Sequence, residues 1–391
     1  VTDAPVVLCL NAGSSSLKFS VYRDGDRGLA EGAVEEIGRE GARAWIKRAG
    51  GAPEQIAGRF ADHGAAVAGV FDLLGRHALP EPVAVGHRLV HGGEEHAAPE
   101  RVTPALLAAL RRLIPLAPLH MPSGLAGVEA VAAKYPMVPQ VVCFDTAFHR
   151  DLPDVARRLP LPSSLPSPAL RRFGFHGLSY EYVVWRLGGG AGRLVIAHLG
   201  NGASMAAVRD GRPVDTTMGL TPAGGFMMGT RTGDLDPGVL TYLMREAGFD
   251  AARLDRLVNR ESGLLGVGGS ADMKTLLERR DRDPAAALAV AMFGYQARKT
   301  VGSLTAALGG LDTLVFTGGI GERAAPVRAA ICDGLGHLGV KLDPGRNAAH
   351  ADPVSAPDSA CAVRVIETDE ELMIARHCRA VLFPERAEAT R

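Results

Sequence analysis

The sequence predicts an α/β protein with a duplicated domain, and three observations carry that expectation. Apolar runs of strand length alternate with helical stretches along the chain. Two segments, 6–25 and 194–211, share one plan: apolar strand, Gly/Asn/Ser turn, returning strand, then Arg-Asp-Gly. Two similar hairpins can arise by chance; the sharper reading is one phosphate-facing hairpin in each half. Finally, 391 residues that are 47% hydrophobic suffice for two or three domains, each with its own core.

In chain order, 6–10 and 17–22 read as paired strands, closed by the turn residues Asp24-Gly25. Residues 30–37 and 43–48 extend that sheet. Residues 54–79 carry helical spacing through Ile56, Phe60, Val67, Val70 and Leu74. A strand is expected at 83–90, broken by Gly92-Gly93. Thr103 and Pro104 begin a helix expected to reach Ile114. The buried strand 138–144 ends at Asp145. In the second half, the hairpin 194–208 is followed by helices at 236–247 and 284–308, the latter capped by Asp283 with Pro284 at its first position. A strand at 311–316 leads through Thr317-Gly318-Gly319-Ile320-Gly321 into a helix at 325–335. The strand 363–366 and a helix starting at Thr368 complete the chain. No linker or low-complexity tract is visible, so the domains are expected to meet across a cleft.

Composition narrows the function. The 43 basic and 43 acidic residues cancel, which argues against a protein that coats nucleic acid or an anionic membrane. No apolar run approaches the ~20 residues that span a bilayer. Residues 1–19 lack the charged start and apolar core of a secretory signal. The five cysteines are scattered without a CxxC pair, so neither a disulfide framework nor a structural zinc site is expected. Cys9 and Cys143 lie in apolar runs and read as buried thiols of a cytoplasmic protein.

Several polar segments interrupt this apolar framework. Asn11-Ala12-Gly13-Ser14-Ser15-Ser16 followed by Lys18 is either a backbone cradle for phosphate or an ordinary polar turn; it is not a GxxxxGK[ST] loop. Arg88 stands at a strand end, where it can grip a carboxylate or phosphate in a fork, or simply pair with Glu94 or Glu95. His120, in a rigid Pro-rich segment, reads in isolation as structural. Arg171 to Gly177 gathers two arginines, two phenylalanines and His176 among glycines, which suits a transferring phosphoryl group or a packed basic turn. Arg231 sits between small residues, and 317–322 lies between strand and helix, where N–H groups can face a nucleotide. With Thr368 as N-cap, Glu371 would close a capping box, leaving Glu370 to face magnesium-bound water.

Taken together, these segments resemble the acetokinase family. Nine stretches match in order: 11–19, 87–94, 116–120, 144–149, 171–177, 198–204, 215–237, 316–322 and 368–375. The resemblance implies duplicated actin-like (ribonuclease H-like) domains with the active site in the cleft between them. The N-terminal domain is then 1–150, completed by the C-terminal helix 369–391, and the nucleotide-binding domain is 151–368. It implies a homodimer that moves a phosphoryl group reversibly between ATP and acetate, giving ADP and acetyl phosphate. Mg2+ is the implied metal, with Mn2+ as substitute; neither nucleic acid nor membrane is an implied partner.

By the same resemblance, Asn11 and Glu370 correspond to the metal-associated positions and Lys18 to an ATP contact. Arg88 and Arg231 correspond to the substrate-holding arginines, Asp145 to the catalytic aspartate, His176 to the transition-state histidine and His120 to a further active-site histidine. Val90, Leu119, Phe175 and Pro222 correspond to the acetate-methyl pocket. His198, Leu199, Gly200, Asn201 and Gly202 correspond to the phosphate loop. Asp272, Met273, Lys274, Gly319, Ile320, Gly321, Glu322 and Arg323 correspond to adenosine-binding segments. Met121, Tyr180, Met273-Lys274 and Arg323 depart from the family pattern. Lysine does not stack on a base as a guanidinium does, so these departures bear on nucleotide preference rather than on phosphoryl transfer. A propionate or butyrate kinase of this family is the nearest alternative. A nucleotide-gated binding protein is the alternative from another class, and the pair Arg88 and Arg231 argues against it.

Overall fold

The computed structural model describes residues 4–13, 15–23, 26–165, 170–189 and 192–387. Ser14 of the first candidate turn and the Asp24-Gly25 turn lie outside the described residues. Two compact units are present: one holds the chain up to Arg150 and again from Asp369, the other holds Asp151–Thr368.

The first unit contains an eight-stranded sheet. Its strands are β1 (Val6–Ala12), β2 (Ser16–Arg23), β3 (Arg27–Glu35), β4 (Arg43–Arg48), β5 (Glu54–Ala57), β6 (Ala84–Leu89), β7 (Glu100–Arg101) and β8 (Gln140–Phe144), in the order β5-β4-β3-β2-β1-β6-β8-β7. The second unit contains β9 (Arg193–Leu199), β10 (Ala203–Arg209), β11 (Arg212–Thr216), β12 (Thr313–Thr317) and β13 (Ala362–Val365), in the order β11-β10-β9-β12-β13. The run β3-β2-β1-β6-β8 and the run β11-β10-β9-β12-β13 have one topology: three antiparallel strands, then two parallel ones. The duplicated α/β plan therefore extends beyond the two hairpins to whole sheets.

β1 is apolar from Val6 to Leu10 because both faces are covered there. Val6, Leu8 and Leu10 join Phe19, Val21, Val67 and Val70 in a core closed by the helix His63–Arg76. On the other face, Cys9 neighbours Gly86 across the parallel pair β1·β6. A Cβ on Gly86 would stand 2.4 Å from Ile374 Cγ2 and 2.5 Å from Cys378 Sγ, both on the helix Glu370–Leu382. Glycine thus sets how closely that helix approaches the sheet. Gly86→Val should push the helix off, cost about 1–3 kcal/mol by overpacking and weaken any function of Glu370. Chemical denaturation and an activity assay on the same preparation check this. All five cysteines are buried free thiols.

Three element expectations need correction. Residues 54–79 are not one helix: 54–57 pair with β4 as an edge strand, and the helix begins at His63 with Asp62 accepting from the Ala65 amide. Ile56 and Phe60 pack on the same core, so the apolar pattern was real but served two elements. The helix from Pro104 ends at Arg111, since Pro115 cannot continue it and the chain turns into a 3-10 segment, Ile114–Leu116. After β12, helix begins directly at Gly318 rather than after a glycine loop. The helix 284–308 is as expected, its N-terminal amides bonded by Asp283.

His87, buried on β6, supplies a pH prediction. Burial pushes its pKa down from 6.5 to about 4. With the Gln140 amide nitrogen facing the ring, it donates to His87 Nε2 at 2.7 Å and to the Val128 carbonyl, which fits a neutral imidazole. The unfolded chain takes up this proton near pH 6.5 and the fold only near 4. Stability from this group is full above 6.5 and should fall by about 3 kcal/mol as pH drops through that window. Urea midpoints measured across the window should decline for the wild type and flatten for His87→Asn.

Candidate active site

Sheet geometry builds the polar cluster of the first unit. β1, β6 and β8 are parallel neighbours, with Asn11 opposite Arg88 and Arg88 opposite Cys143 in register. Their C-terminal ends therefore bring together Asn11, Arg88 and Asp145, the region where open α/β sheets bind ligands. Arg88 donates through Nε to Asp145 Oδ1 at 2.9 Å and through Nη2 to Oδ2 at 2.5 Å. Its Nη1 donates to Asn11 Oδ1 at 3.2 Å, and Glu370 Oε2 stands 3.4 Å from Nε. Burial alone would lower the pKa of this guanidinium; the negative charges of Asp145, Glu370 and Glu371 outweigh it and hold the pKa above its usual value.

The helix Glu370–Leu382 delivers the remaining carboxylates, but its start differs from the expected capping box. Asp369 is the N-cap, accepting from the Leu372 amide at 2.8 Å and from the Tyr22 hydroxyl at 2.7 Å. Thr368 instead donates its hydroxyl to Ser179. Glu371 is thereby released from capping and accepts from Asn11 Nδ2 at 3.2 Å; burial and the neighbouring Glu370 raise its pKa. Lys18, exposed and opposite Asn11 on β2, partly offsets that rise.

Three carboxylates and an amide around one arginine form a hard-oxygen surface of the kind that suits a divalent cation. Among the described residues, no three His, Cys, Asp or Glu side chains are arranged as a ready ligand cage. In the same unit, Val90 is buried beyond the end of β6, while Leu119 and His120 are half-buried before the helix Met121–Lys134.

The polar cluster of the second unit is built around the β9–β10 turn. His176 starts the helix Gly177–Arg186 with φ +58, an uncommon conformation for a residue with a side chain. Its ring stacks on His198 at 4.2 Å between centroids and 18° between planes. Its Nδ1 lies 2.8 Å from Ser204 Oγ, which also lies 2.5 Å from the Tyr180 hydroxyl. His198 Nδ1 bonds the Ser179 hydroxyl at 2.8 Å. A Cβ on Gly202 would meet Arg231 Nη1 at 3.3 Å and His176 Nε2 at 3.4 Å, so the guanidinium and the imidazole converge beside bare backbone.

Arg231 is aimed by its loop. Its Nη1 reaches the Pro222 carbonyl at 3.3 Å, and the Met228 amide donates to the Arg231 carbonyl. Gly263, at φ +63, lets a neighbouring chain segment close in: a Cβ there would be 2.1 Å from the Met228 carbonyl oxygen. Gly229 donates to the Asn201 carbonyl at 2.9 Å and docks the turn of His198, Leu199, Gly200, Asn201 and Gly202 onto this loop. Phe175 is buried and Pro222 half-buried in this unit.

The helix Gly318–Arg323 meets the end of β9, where a Cβ on Gly318 would stand 2.8 Å from the Leu199 carbonyl oxygen. Glu322 pins it, accepting from the Gly318 amide at 2.9 Å and the Thr368 amide at 3.2 Å; burial raises its pKa. Gly319 is exposed with open space around it, Ile320 is half-buried and Gly321 buried. Arg323 projects into solvent near Glu367. Asp272 is occupied as the N-cap of the helix Met273–Arg279, bonding the Thr275 hydroxyl and the Thr275 and Lys274 amides; Met273 is buried and Lys274 exposed.

Sequence reasoning missed Arg328. This fully buried arginine donates to the Gly321 and Glu322 carbonyls, at 2.7 and 2.8 Å, and to Asn347. The signal was available: a lone arginine at an apolar-face position, between Ala324 and Ile331, of an otherwise amphipathic helix.

The chain is similar to known proteins over nearly its whole length. The acetokinase family profile matches residues 6–376. The acetate kinase of Rhodopseudomonas palustris is 46% identical over 389 residues, covering 95% of this chain and 97% of that protein. The acetate kinase of Streptomyces coelicolor is 44% identical over 395 residues, covering 96% and 97%. Among solved structures, Porphyromonas gingivalis acetate kinase matches at 39% identity with TM-score 0.87, covering 97% of this chain and all of that one. A propionate kinase from Francisella tularensis matches at 34% identity with TM-score 0.91 and the same coverage. The two sheets form the duplicated actin-like fold, and the chain belongs to the acetokinase family of phosphotransferases.

Proposed function

We propose that the chain catalyses reversible transfer of the ATP γ-phosphate to acetate, giving acetyl phosphate and ADP. The observation that carries this reading is the convergence of Arg231 Nη1 and His176 Nε2 beside Gly202. Two donors facing bare backbone can offset charge on the equatorial oxygens of a transferring phosphoryl group without crowding it. Acetate is ionised at neutral pH, so its attack requires no general base. One carboxylate oxygen forms the new P–O bond as the bond to the ADP oxygen breaks, and ADP leaves with the electron pair.

Arg88, its fork engaged by Asp145, offers its remaining Nη protons and its charge to the acceptor carboxylate or the phosphoryl oxygens. Asn11 and Glu370 would hold Mg2+, or Mn2+ in its place, with Asp145 as the carboxylate that would orient its waters. When bound, the metal supplies charge neutralisation on the phosphate oxygens. His120 adds a polar contact. Lys18, the turn 198–202, Asp272, Met273, Lys274 and the segment 319–323 take the nucleotide, and Val90, Leu119, Phe175 and Pro222 take the acetate methyl. Hydroxylamine trapping with acetate, propionate and butyrate tests this reading: acetate should give the fastest acyl-phosphate formation. No trapping with any acid would sink it.

Propionate is a second acceptor to weigh, because the Francisella propionate kinase superposes so closely. One methylene is worth only ~1–3 kcal/mol in an apolar pocket, so a preference is expected, not exclusion.

We also place the enzyme in the cytoplasm as a homodimer. Buried reduced thiols suit a reducing compartment. No described helix is long and apolar enough to cross a membrane. The helix Pro237–Glu246 buries no residue and leaves Val239, Tyr242 and Met244 exposed, with Leu235 just before it. Apolar exposure of this kind calls for a covering partner. Light scattering should report twice the chain mass, and Tyr242→Glu with Met244→Glu should halve it; a wild-type monomer would contradict the assignment.

A further inference from the structure

We propose that Tyr180, acting through Ser204, holds the His176 imidazole in the tautomer that carries its proton on Nε2. This deepens the phosphoryl-transfer reading and rests on it, adding a positioning residue that touches neither substrate nor metal.

Tyr180 and Ser204 are both fully buried. The Tyr180 hydroxyl is 2.5 Å from Ser204 Oγ, and that same oxygen is 2.8 Å from His176 Nδ1. A serine hydroxyl has one proton to give and lone pairs to receive. A phenol is the stronger donor of the two hydroxyls. The chain therefore runs one way: Tyr180 donates to Ser204, and Ser204 donates to His176 Nδ1. An imidazole that accepts at Nδ1 carries its proton at Nε2.

Nε2 is the atom that faces Gly202, alongside Arg231 Nη1. For a neutral ring, the tautomer decides whether Nε2 offers a phosphoryl oxygen a proton or a repelling lone pair. The titratable and charged groups facing the ring include His198, stacked from β9, Arg231 from its loop, and Tyr180 from the same helix. His198 is wired separately, through Ser179 to Thr368, so Ser204 belongs to His176 within this pair of rings.

The test uses the full chain labelled with 15N-histidine. Long-range proton–nitrogen spectra report the tautomer of His176, assigned by its loss in His176→Gln. The wild type should show the Nε2–H form, and Tyr180→Phe a mixture of both. At about pH 8, Tyr180→Phe should lose about tenfold in kcat with KM for ATP and acetate little changed. Acid sufficient to protonate both ring nitrogens should remove the difference, because such a ring donates from Nε2 without help. A wild-type ring protonated on Nδ1 would overturn the proposal, as would a Tyr180→Phe tautomer and pH profile identical to wild type. If Tyr180→Phe does not fold, Ser204→Ala removes the relay and the same readouts decide. The spectra need no substrate. Absence of acyl phosphate in the wild type would therefore remove the phosphoryl-transfer reading while leaving the Tyr180 result to stand or fall separately.

Discussion

Arg88→Leu should abolish turnover and destabilise the first unit, whereas Arg88→Lys should fold and lose about 10²–10³ in kcat. The distinction follows from what Arg88 touches. Its guanidinium bonds both oxygens of Asp145, a side chain only 1% exposed, and stands beside Glu370. Leucine leaves those carboxylates buried against each other without that cation, a loss of about 3–5 kcal/mol by analogy with broken buried ion pairs. Lysine keeps the charge but not the fork, so it preserves the ion pair while losing bidentate alignment. Thermal melts and acyl-phosphate trapping on both variants separate the two effects. Equal stability of Arg88→Leu and wild type would mean that Arg88 does not neutralise this cluster.

Arg231→Ala should show the opposite profile: kcat lower by about 10²–10³, equivalent to about 3–4 kcal/mol in the transition state, with stability almost unchanged. Arg231 is half-exposed, and its side-chain contacts include the Pro222 carbonyl and the Met228 sulfur. Its loop is held by main chain, through Met228, Gly229 and Thr230, so removing the side chain leaves the loop in place. Gly263→Ala provides the contrast. It forces a Cβ onto the Met228 carbonyl at a positive φ, so stability and activity should fall together. Denaturation midpoints beside kcat for the two variants check the pair.

Much of the fold was legible in the sequence, and the reasons are local. β1, β8 and β9 are covered on both faces and read as continuous apolar runs. Asp283-Pro284 carries its own start signal for the helix 284–308. The errors arose where a nonlocal partner decided the outcome. Residues 54–57 have helical spacing, but β4 offers them sheet hydrogen bonds. Thr368 and Asp369 both qualify as N-caps, and the choice is made by Ser179 on one and Tyr22 on the other. The motif arginines and histidines were visible because they punctuate apolar or glycine-rich segments. Ser204 and Tyr180 were not singled out as partners of His176, because a buried hydroxyl beside a ring nitrogen has no signature in linear sequence. Nor does sequence show that Glu371 leaves the cap to meet Asn11.

The central claim is direct transfer of a phosphoryl group to a carboxylate at the site of Arg231 and His176. The most direct test is a rapid chemical quench of one turnover with ATP labelled in its γ-phosphate, magnesium and acetate. The account predicts label passing into acetyl phosphate only when acetate is present, with none retained on the protein and slowed transfer in Arg231→Ala and His176→Ala. Label held on the protein ahead of product, or ADP formed equally fast without acetate, would contradict it.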